Sequence, residues 1–372
     1  MEIEERYARH YSLNGFGPQA QKKLQQASVL VVGAGGLGCP VLQYLVAAGV
    51  GKIGIIDHDR IALSNLQRQV LFDSTQIGEY KAQAAANKLK LLNPLVNIQE
   101  YILYLSTENA IELLEGYDVI VDCTDNFSTR YMLTDICMLL EQPLVFGAIF
   151  EYEGQVAVFN VSDENGNKTT YRNLFPTPPS PLDAPDCNEN GVLGVLPGLI
   201  GVLQASEAIK LLTGVGQPLV NKLMIMNVKD NRTIVVDIPV ENRQVPSQPQ
   251  SLAEFEDFDY AYHCGLKLNS VDPISQQEFA LLPNSDDVLI VDVRNTNELP
   301  KLSFPHLQIP LKELHDKFKK IDKYNVIVIC QEGKRSSTAA QFLADKLGAN
   351  YSIRNLEGGI SAMLTYNDGK IC

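Results

Sequence analysis

Three observations predict an α/β protein of two domains. In the stretch Val29–Asp59, a wholly apolar run (Val29–Val32) leads into Gly33, Gly35 and Gly38 at G-x-G-x-x-G spacing. An apolar helical segment (Pro40–Ala48) follows, stopped by Gly49, and a second strand (Lys52–Ile56) ends on Asp57. Short apolar strand segments and longer helical ones then keep alternating as far as Ile238. Finally, VPSQPQS (Val245–Ser251) and the acidic Glu254–Asp259 interrupt the pattern, which restarts near Ser270. The expected fold class is α/β: a Rossmann-like mononucleotide-binding domain over 1–244, a linker over 245–269, and a second, smaller α/β domain over 270–372.

Taken in order, Glu4–Gln26 reads as polar helix interrupted at Asn14–Gly17, with Arg6 and Arg9 three apart on one helical face. In the glycine fingerprint, small residues let the backbone turn tightly beside phosphate while a helix N-terminus faces the anion. Asp57, nineteen residues past Gly38, stands where an acid takes a ribose hydroxyl. Ser64–Gln69 is polar and reads as surface. Gly78–Leu92 reads as helix, ended by Asn93-Pro94, with Lys81 in its first turn. A cation there opposes the helix dipole, which hints at an anion opposite. A strand Tyr117–Val121 delivers Asp122-Cys123-Thr124-Asp125-Asn126 to a strand C-terminal end, where open α/β sheets keep their ligands.

A helix over Ser128–Leu140 and strands over Pro143–Ile149 and Gln155–Asn160 follow. Thr169–Asp186, rich in proline, reads as a mobile loop carrying Cys187. Helix Leu199–Leu212, stopped by Gly214, and strands Lys222–Asn227 and Thr233–Ile238 close the first domain. In the second domain, strand Val288–Val291 ends at Asp292, and strand Asn325–Ile329 hands Cys330 to a six-residue loop before a helix from Ser336 to Lys346.

Composition bounds the function. Of 372 residues, 45% are hydrophobic and 20% charged, an ordinary globular balance. A net charge of −13 argues against nucleic acid as the main partner, since phosphate backbones demand clustered cations. Met1–Arg9 is charged, so no secretory leader is expected, and Val192–Leu203 is too short and too rich in Gly and Pro to span a bilayer. Seven cysteines without a regular framework suggest a reducing, cytoplasmic compartment and thiol chemistry rather than staples.

A nucleotide site needs ribose recognition, phosphate neutralisation and a place for metal or developing charge. Asp57 can supply the first, Arg68 and Lys81 the second, Asp59 and Asp125 the third. With these residues in view, GAGGLGCP, IIDHDRIALSNLQRQVLF, Lys81, DCTDNFSTRY, FGAIFEYEGQVAVFN and GVLGVLPGLIGVLQASEAIKLL resemble the ubiquitin-activating superfamily of adenylating enzymes. The likeness is to its bacterial branch of MoeB/ThiF type, and it covers about Arg6–Ile238. It implies an adenylation domain that binds ATP and Mg²⁺ and adenylates the C-terminal Gly-Gly of a small ubiquitin-fold sulfur carrier, in molybdopterin or thiamin biosynthesis.

Carried over by position, Gly35 and Gly36 lie against the nucleotide, Asp57 holds the ribose, and Asn65, Arg68 and Lys81 hold phosphates. Asp125 serves the metal and the adenylation centre, and Asp59 and Asn126 are counted with the residues that bind ATP and Mg²⁺. Arg9 matches an arginine that reaches the neighbouring subunit's ATP, which implies a homodimer. Cys187 matches a cysteine that some relatives link covalently to the carrier; a bystander thiol is the other reading. The structural zinc of many relatives is not expected, because Thr170, Asn173 and Ala261 stand where thiolates would be needed and Cys264 alone cannot make a site.

The second domain resembles a rhodanese-like domain over about Val271–Leu364, through the Cys330–Arg335 loop, VDVR (Val291–Arg294) and GGI (Gly358–Ile360). The implied chemistry is a persulfide on Cys330, stabilised by loop amides and by Gly333 and Arg335 at fixed offsets. Arg335 follows Cys330 by five, and the small loop favours sulfur over phosphate. Gln331 replaces a common arginine, and the segment Ser303–Leu307 is shortened, which puts activity on free thiosulfate in question. A sulfur donor such as a cysteine desulfurase is implied. Cys372, with no Gly-Gly before it, reads as incidental.

Two other functions share parts of this pattern. A nicotinamide-dependent oxidoreductase has the glycine fingerprint but no use for Arg68, Lys81 and Asp125 together. A non-catalytic half of a heterodimeric activating enzyme characteristically loses its phosphate-binding cations, which this chain keeps.

Overall fold

A computed structural model describes residues 2–179, 191–240, 248–264, 271–282, 287–348 and 350–366. These fall into two compact units, one ending at Tyr260 and the other taking up the chain from Ala261. Cys187, Cys372 and the proline-rich stretch from 180 onward lie outside the described residues.

The first unit is built on one eight-stranded sheet. Its strands are β1 (Ser28–Val32), β2 (Lys52–Ile56), β3 (Asn97–Tyr101), β4 (Val119–Asp122), β5 (Leu144–Phe150), β6 (Glu153–Phe159), β7 (Lys222–Asn227) and β8 (Arg232–Asp237), in the spatial order 3-2-1-4-5-6-7-8. β3 to β5 are parallel; β6 to β8 run antiparallel to their neighbours. The order reverses between β1 and β4, which opens a crevice at the carboxyl ends of those strands. β1, β2 and β4 are apolar and almost wholly buried because helices cover both faces of a parallel sheet.

The helices that matter for the crevice are α1 (Gly17–Gln26), α2 (Gly38–Ala48), α3 (Lys81–Leu92), α4 (Thr107–Leu114), α5 (Phe127–Leu139), α6 (Tyr171–Leu174) and α7 (Val195–Thr213). α2 ends at Gly49, whose φ of 84° supplies the left-handed cap. α7 is longer than the sequence suggests, and by length and composition alone it could cross a membrane. Here it is a core helix: Leu196, Ile200, Ala205 and Ala208 are buried with the β-sheet and α2.

Several expectations are corrected. Arg6 and Arg9 do not share a helical face, because Tyr7 breaks the helix between Glu2–Arg6 and Ala8–Tyr11. Its ring is buried and its hydroxyl accepts a hydrogen bond from Asn93 Nδ2 at 2.8 Å. The start of the proline-rich segment, Thr169–Arg172, is core rather than loop. Thr169 bonds Asn221 at 2.9 Å, and in α6 Arg172 is fully buried, paired with Asp135 through Nε–Oδ1 at 2.7 Å and Nη2–Oδ2 at 2.8 Å.

The stretch read as a linker over 245–269 is in part structure of the first unit. Helix α8 (Leu252–Glu256) starts on a Ser251 cap, Phe255 is fully buried, and the Tyr260 hydroxyl donates to Asp135 Oδ2 at 2.8 Å. A polar, acidic sequence hides this because two aromatic anchors, not an apolar stripe, dock it.

The second unit is a five-stranded parallel sheet: β9 (Pro273–Ile274), β10 (Val288–Asp292), β11 (Leu307–Gln308), β12 (Asn325–Ile329) and β13 (Ser352–Leu356), in the order 11-10-12-13-9. Helices α9 (Lys334–Leu347) and α10 (Gly359–Tyr366) complete the part that forms its site. α9 begins at Lys334, two residues before the expected start, so the loop after Cys330 is only Gln331–Gly333.

Candidate active sites

The crevice between β1 and β4 is an open cleft at the carboxyl ends of the strands, where open α/β sheets keep their ligands. Gly33, Gly35 and Gly36 form its floor after β1, and Asp57, His58 and Asp59 follow β2. Arg68 and Gln69 come from the turn beyond, Lys81 from α3, Leu103–Leu105 from the segment after β3, and Cys123–Asn126 with Arg130 from the end of β4 and the start of α5. Glycine is required at the turn itself. Gly33 has φ of 99°, and a Cβ there would lie 2.7 Å from the Cys123 carbonyl oxygen; one on Gly38 would lie 1.9 Å from that of Gly33.

Within this cleft Asp57 accepts backbone N–H bonds from Ala34 and Asp59, both at 2.8 Å, which fixes its carboxylate at the strand tip. Burial pushes its pKa up, against the pull of Lys81 and the two amides. Lys81, the first residue of α3 and buried, pairs with Asp59 at 2.8 Å. Arg68 donates to the Ser64 carbonyl at 3.2 Å. Asn126 caps α5, accepting from Thr129 N–H at 2.9 Å, and so sets Asp125 at the cleft edge.

Of the residues singled out in the sequence, the fold thus brings Gly35, Gly36, Asp57, Asp59, Arg68, Lys81, Asp125 and Asn126 to one place. Arg9 and Asn65 are not among the residues lining it. Asn65 closes the turn Leu63–Asn65 by accepting from the Ala62 N–H at 3.1 Å. Among the described residues, no three His, Cys, Asp or Glu side chains are grouped to hold a metal ion. Thr170 and Asn173 bond to each other across the cap of α6.

Sequence reading missed four contributors. Gln69 belongs to a polar stretch that reads as surface, yet it is buried in the cleft wall, with no hydrogen-bond partner for its Oε1. Arg130 lies in the first turn of α5, donates to the Thr124 carbonyl at 3.1 Å and faces buried Asp122 at 3.6 Å. The clue that marks Lys81, a cation at a helix start, marks Arg130 equally. Gln204, a lone amide in the apolar α7, donates to the Asp122 carbonyl at 2.7 Å and ties down the end of β4. Tyr104, edge-on to His58 at 5.2 Å, follows β3, whose polar face concealed it as a strand.

In the second unit Cys330 sits at the end of β12, 1% exposed. Its Sγ accepts N–H bonds from Gly333 at 3.1 Å and Ser336 at 3.3 Å. The loop carbonyls are held from behind: Ile360 and Ser361, at the start of α10, donate to the Cys330 and Gln331 carbonyls, both at 2.9 Å. Amides converging on a sulfur at a helix start suit an anion carried on that sulfur. Arg335 forms a bidentate pair with Glu298 at 2.7 and 2.8 Å, and Arg294 is paired with Asp292 at 2.9 Å.

Fold and sites together define a nucleotide-using α/β enzyme joined to a domain with a thiol cradled in a strand–helix loop. Residues 7–249 match the ThiF family and residues 275–365 the rhodanese-like domain, and the chain belongs to the ThiF family.

It is 47% identical over 264 residues to the sulfur carrier protein adenylyltransferase of Thermus thermophilus, covering 71% of this chain and 97% of that one. It is 37% identical over 378 residues to the adenylyltransferase and sulfurtransferase MOCS3 of Drosophila yakuba, covering 96% and 82%. To the probable adenylyltransferase/sulfurtransferase MoeZ of Mycobacterium tuberculosis it is 36% identical over 372 residues, covering 96% and 92%. Among solved structures, E. coli MccB with MccA-N7isoASN aligns at TM-score 0.55 and 22% identity, over 65% of this chain and 74% of that one; this is a likeness of fold.

Proposed function

We propose that the chain adenylates the C-terminal Gly-Gly of a small ubiquitin-fold sulfur carrier with ATP and then passes sulfur to it from Cys330. One observation carries the reading: acids and cations from four separate segments, Asp57, Arg68, Lys81 and Asp125, line a single cleft at the sheet's switch point. Joining a carboxylate to a polyphosphate brings two anions together, so such a site must first cancel charge.

In this reading Asp57 accepts a ribose hydroxyl, and the floor at Gly35 and Gly36 admits the phosphates because no side chain fills it. Arg68 and Lys81 neutralise phosphate oxygens, and Asp59 holds Lys81 in position until they arrive. The carrier's carboxylate oxygen attacks the α-phosphorus, the bond to the β-phosphate oxygen breaks, and pyrophosphate leaves with the electron pair. Mg²⁺ fits the donor set, since it binds through one or two carboxylates plus substrate phosphates; Asp125 would supply one, and the ion would neutralise the leaving pyrophosphate. Arg9, outside the cleft of its own chain, acts on the nucleotide of a second copy, and the working unit is a homodimer in the cytoplasm. A cysteine desulfurase loads Cys330, and Cys187 resolves the carrier conjugate.

The test is pyrophosphate exchange into ATP by the purified chain. Exchange should require a carrier with an intact Gly-Gly end. Exchange without any carrier, or NAD-dependent turnover instead, would count against the reading.

A further inference from the structure

On an arginine of the Cys330 loop the structure holds a carboxylate, Glu298, that the sulfur-transfer reading does not use. Arg335 is the second residue of α9, and Glu298 lies in the turn after β10. Their two parallel bonds, Nη1–Oε1 at 2.7 Å and Nη2–Oε2 at 2.8 Å, are the geometry that fixes a guanidinium most firmly. Glu298 is itself anchored, since Oε1 also accepts the Asn295 N–H at 2.8 Å. The pair is largely out of water, with side chains 14% and 28% exposed, so salt screens it weakly. The hydrogen bonds from Arg335 hold the Glu298 carboxyl below the usual carboxylate range, which keeps it charged.

The neighbouring arginine is matched in the same way. Arg294 is buried, paired with Asp292 at 2.9 Å, and its Nη1 donates to Gln331 Oε1 at 3.3 Å, which places that amide in the loop. Glu332, in the loop itself, is exposed and adds a negative charge. Each arginine at the loop therefore already has its carboxylate, while the amides of Gly333 and Ser336 suit one negative charge on sulfur.

Resting on the sulfur-transfer reading, we propose that Glu298 is a specificity-determining residue for the sulfur donor. By closing Arg335 into a bidentate pair it withdraws the guanidinium from incoming anions and so disfavours dianionic donors. With a persulfide donor R–S–SH, the Cys330 thiolate attacks the outer sulfur. The Sγ–S bond forms, the donor S–S bond breaks, and the electron pair leaves on RS⁻, giving Cys330–S–SH. With thiosulfate the same attack expels sulfite, so both donor and leaving group carry two negative charges that the paired arginines cannot meet.

The test uses the full chain and Glu298→Gln, which keeps an oxygen for the Asn295 N–H but loses the charge. Sulfur transfer to cyanide is measured from thiosulfate and from 2-hydroxyethyl persulfide, a donor of low charge. The ratio of kcat/KM for thiosulfate to that for the persulfide should rise about tenfold or more, and the gain should shrink with added salt. Adding Arg335→Ala to Glu298→Gln should cancel the gain. Glu298→Asp, which keeps charge but cannot span both nitrogens, should give a smaller rise and serves as the second variant if Glu298→Gln does not fold.

An unchanged ratio in a folded variant, parallel loss with both donors, or misfolding of both variants would make Glu298 a structural prop and overturn the proposal. Failure of the wild-type chain to load Cys330 from either donor is a different result: it removes the sulfur-transfer reading, and this role with it.

Discussion

In both units the reactive group stands past the end of a parallel strand and before a helix: the Asp122–Asn126 turn between β4 and α5, and Cys330 between β12 and α9. The two sites are assembled differently. The cleft draws its charges from segments spread between Gly33 and Arg130, and no one of them makes a site alone. The Cys330 cradle is local, with thiol and both donating amides inside Cys330–Ser336. A distributed site can cancel the charge of a polyphosphate because its cations arrive from several directions. A local loop can stabilise one sulfur anion and little more, and its wider electrostatics are set by Glu298, 37 positions before its partner Arg335.

The sharpest way to break this comparison is to remove the local site. Cys330→Ala should abolish thiocarboxylate formation on a Gly-Gly carrier when sulfur must pass through this chain, while pyrophosphate exchange stays near the wild-type rate. Mass spectrometry of the carrier's C-terminus reads the first and radiolabel exchange the second. Full thiocarboxylate from the variant, with no other sulfurtransferase present, would merge the two sites into one.

Next in size is the distributed site. Arg68→Ala should lower exchange by about 10²–10³, the usual effect of deleting one group that stabilises developing charge. Cyanide-acceptor sulfur transfer should be untouched. A rate within tenfold of wild type would take Arg68 out of the cleft's chemistry.

A smaller effect tests the docking of α8. Tyr260→Phe removes the hydroxyl from Asp135 inside the buried Arg172 pair, and a hydrogen bond to a charged group is worth about 1.5–3 kcal/mol. Urea unfolding of the full chain should show that loss in the transition of the first unit alone. An unchanged transition would mean that Phe255 carries the docking.

The smallest is a pH effect. Burial raises the pKa of Asp57, so its carboxylate should begin to protonate on acidification at a pH above 3.8. Adenosine affinity should therefore fall with acid from above that value, and Asp57→Asn should flatten the profile. For stability the sign is opposite to that of a salt-bridged acid: the contribution of Asp57 is fully present below pH 3.8 and is lost as pH rises through the folded value. An adenosine profile identical in the two proteins would remove Asp57 from the ribose contact.

What the chain determines by itself is the part carried by local pattern. Apolar runs bounded by glycine named β1, β2 and α2, the spacing to Asp57 named a nucleotide, and Cys330 between a strand and Gly333 named a thiol loop. These features lie within a few turns of chain, where periodicity and turn chemistry act. Only the tertiary structure decided that Gln69 is buried and that Arg130 and Gln204 grip the two ends of the Asp122–Thr124 segment. It also decided that Phe255 and Tyr260 tie a polar stretch to the first unit, and that Arg335 is closed by Glu298. The physical reason is shared: a lone polar or aromatic residue carries no periodic signal, and its partner is chosen by which strands lie side by side.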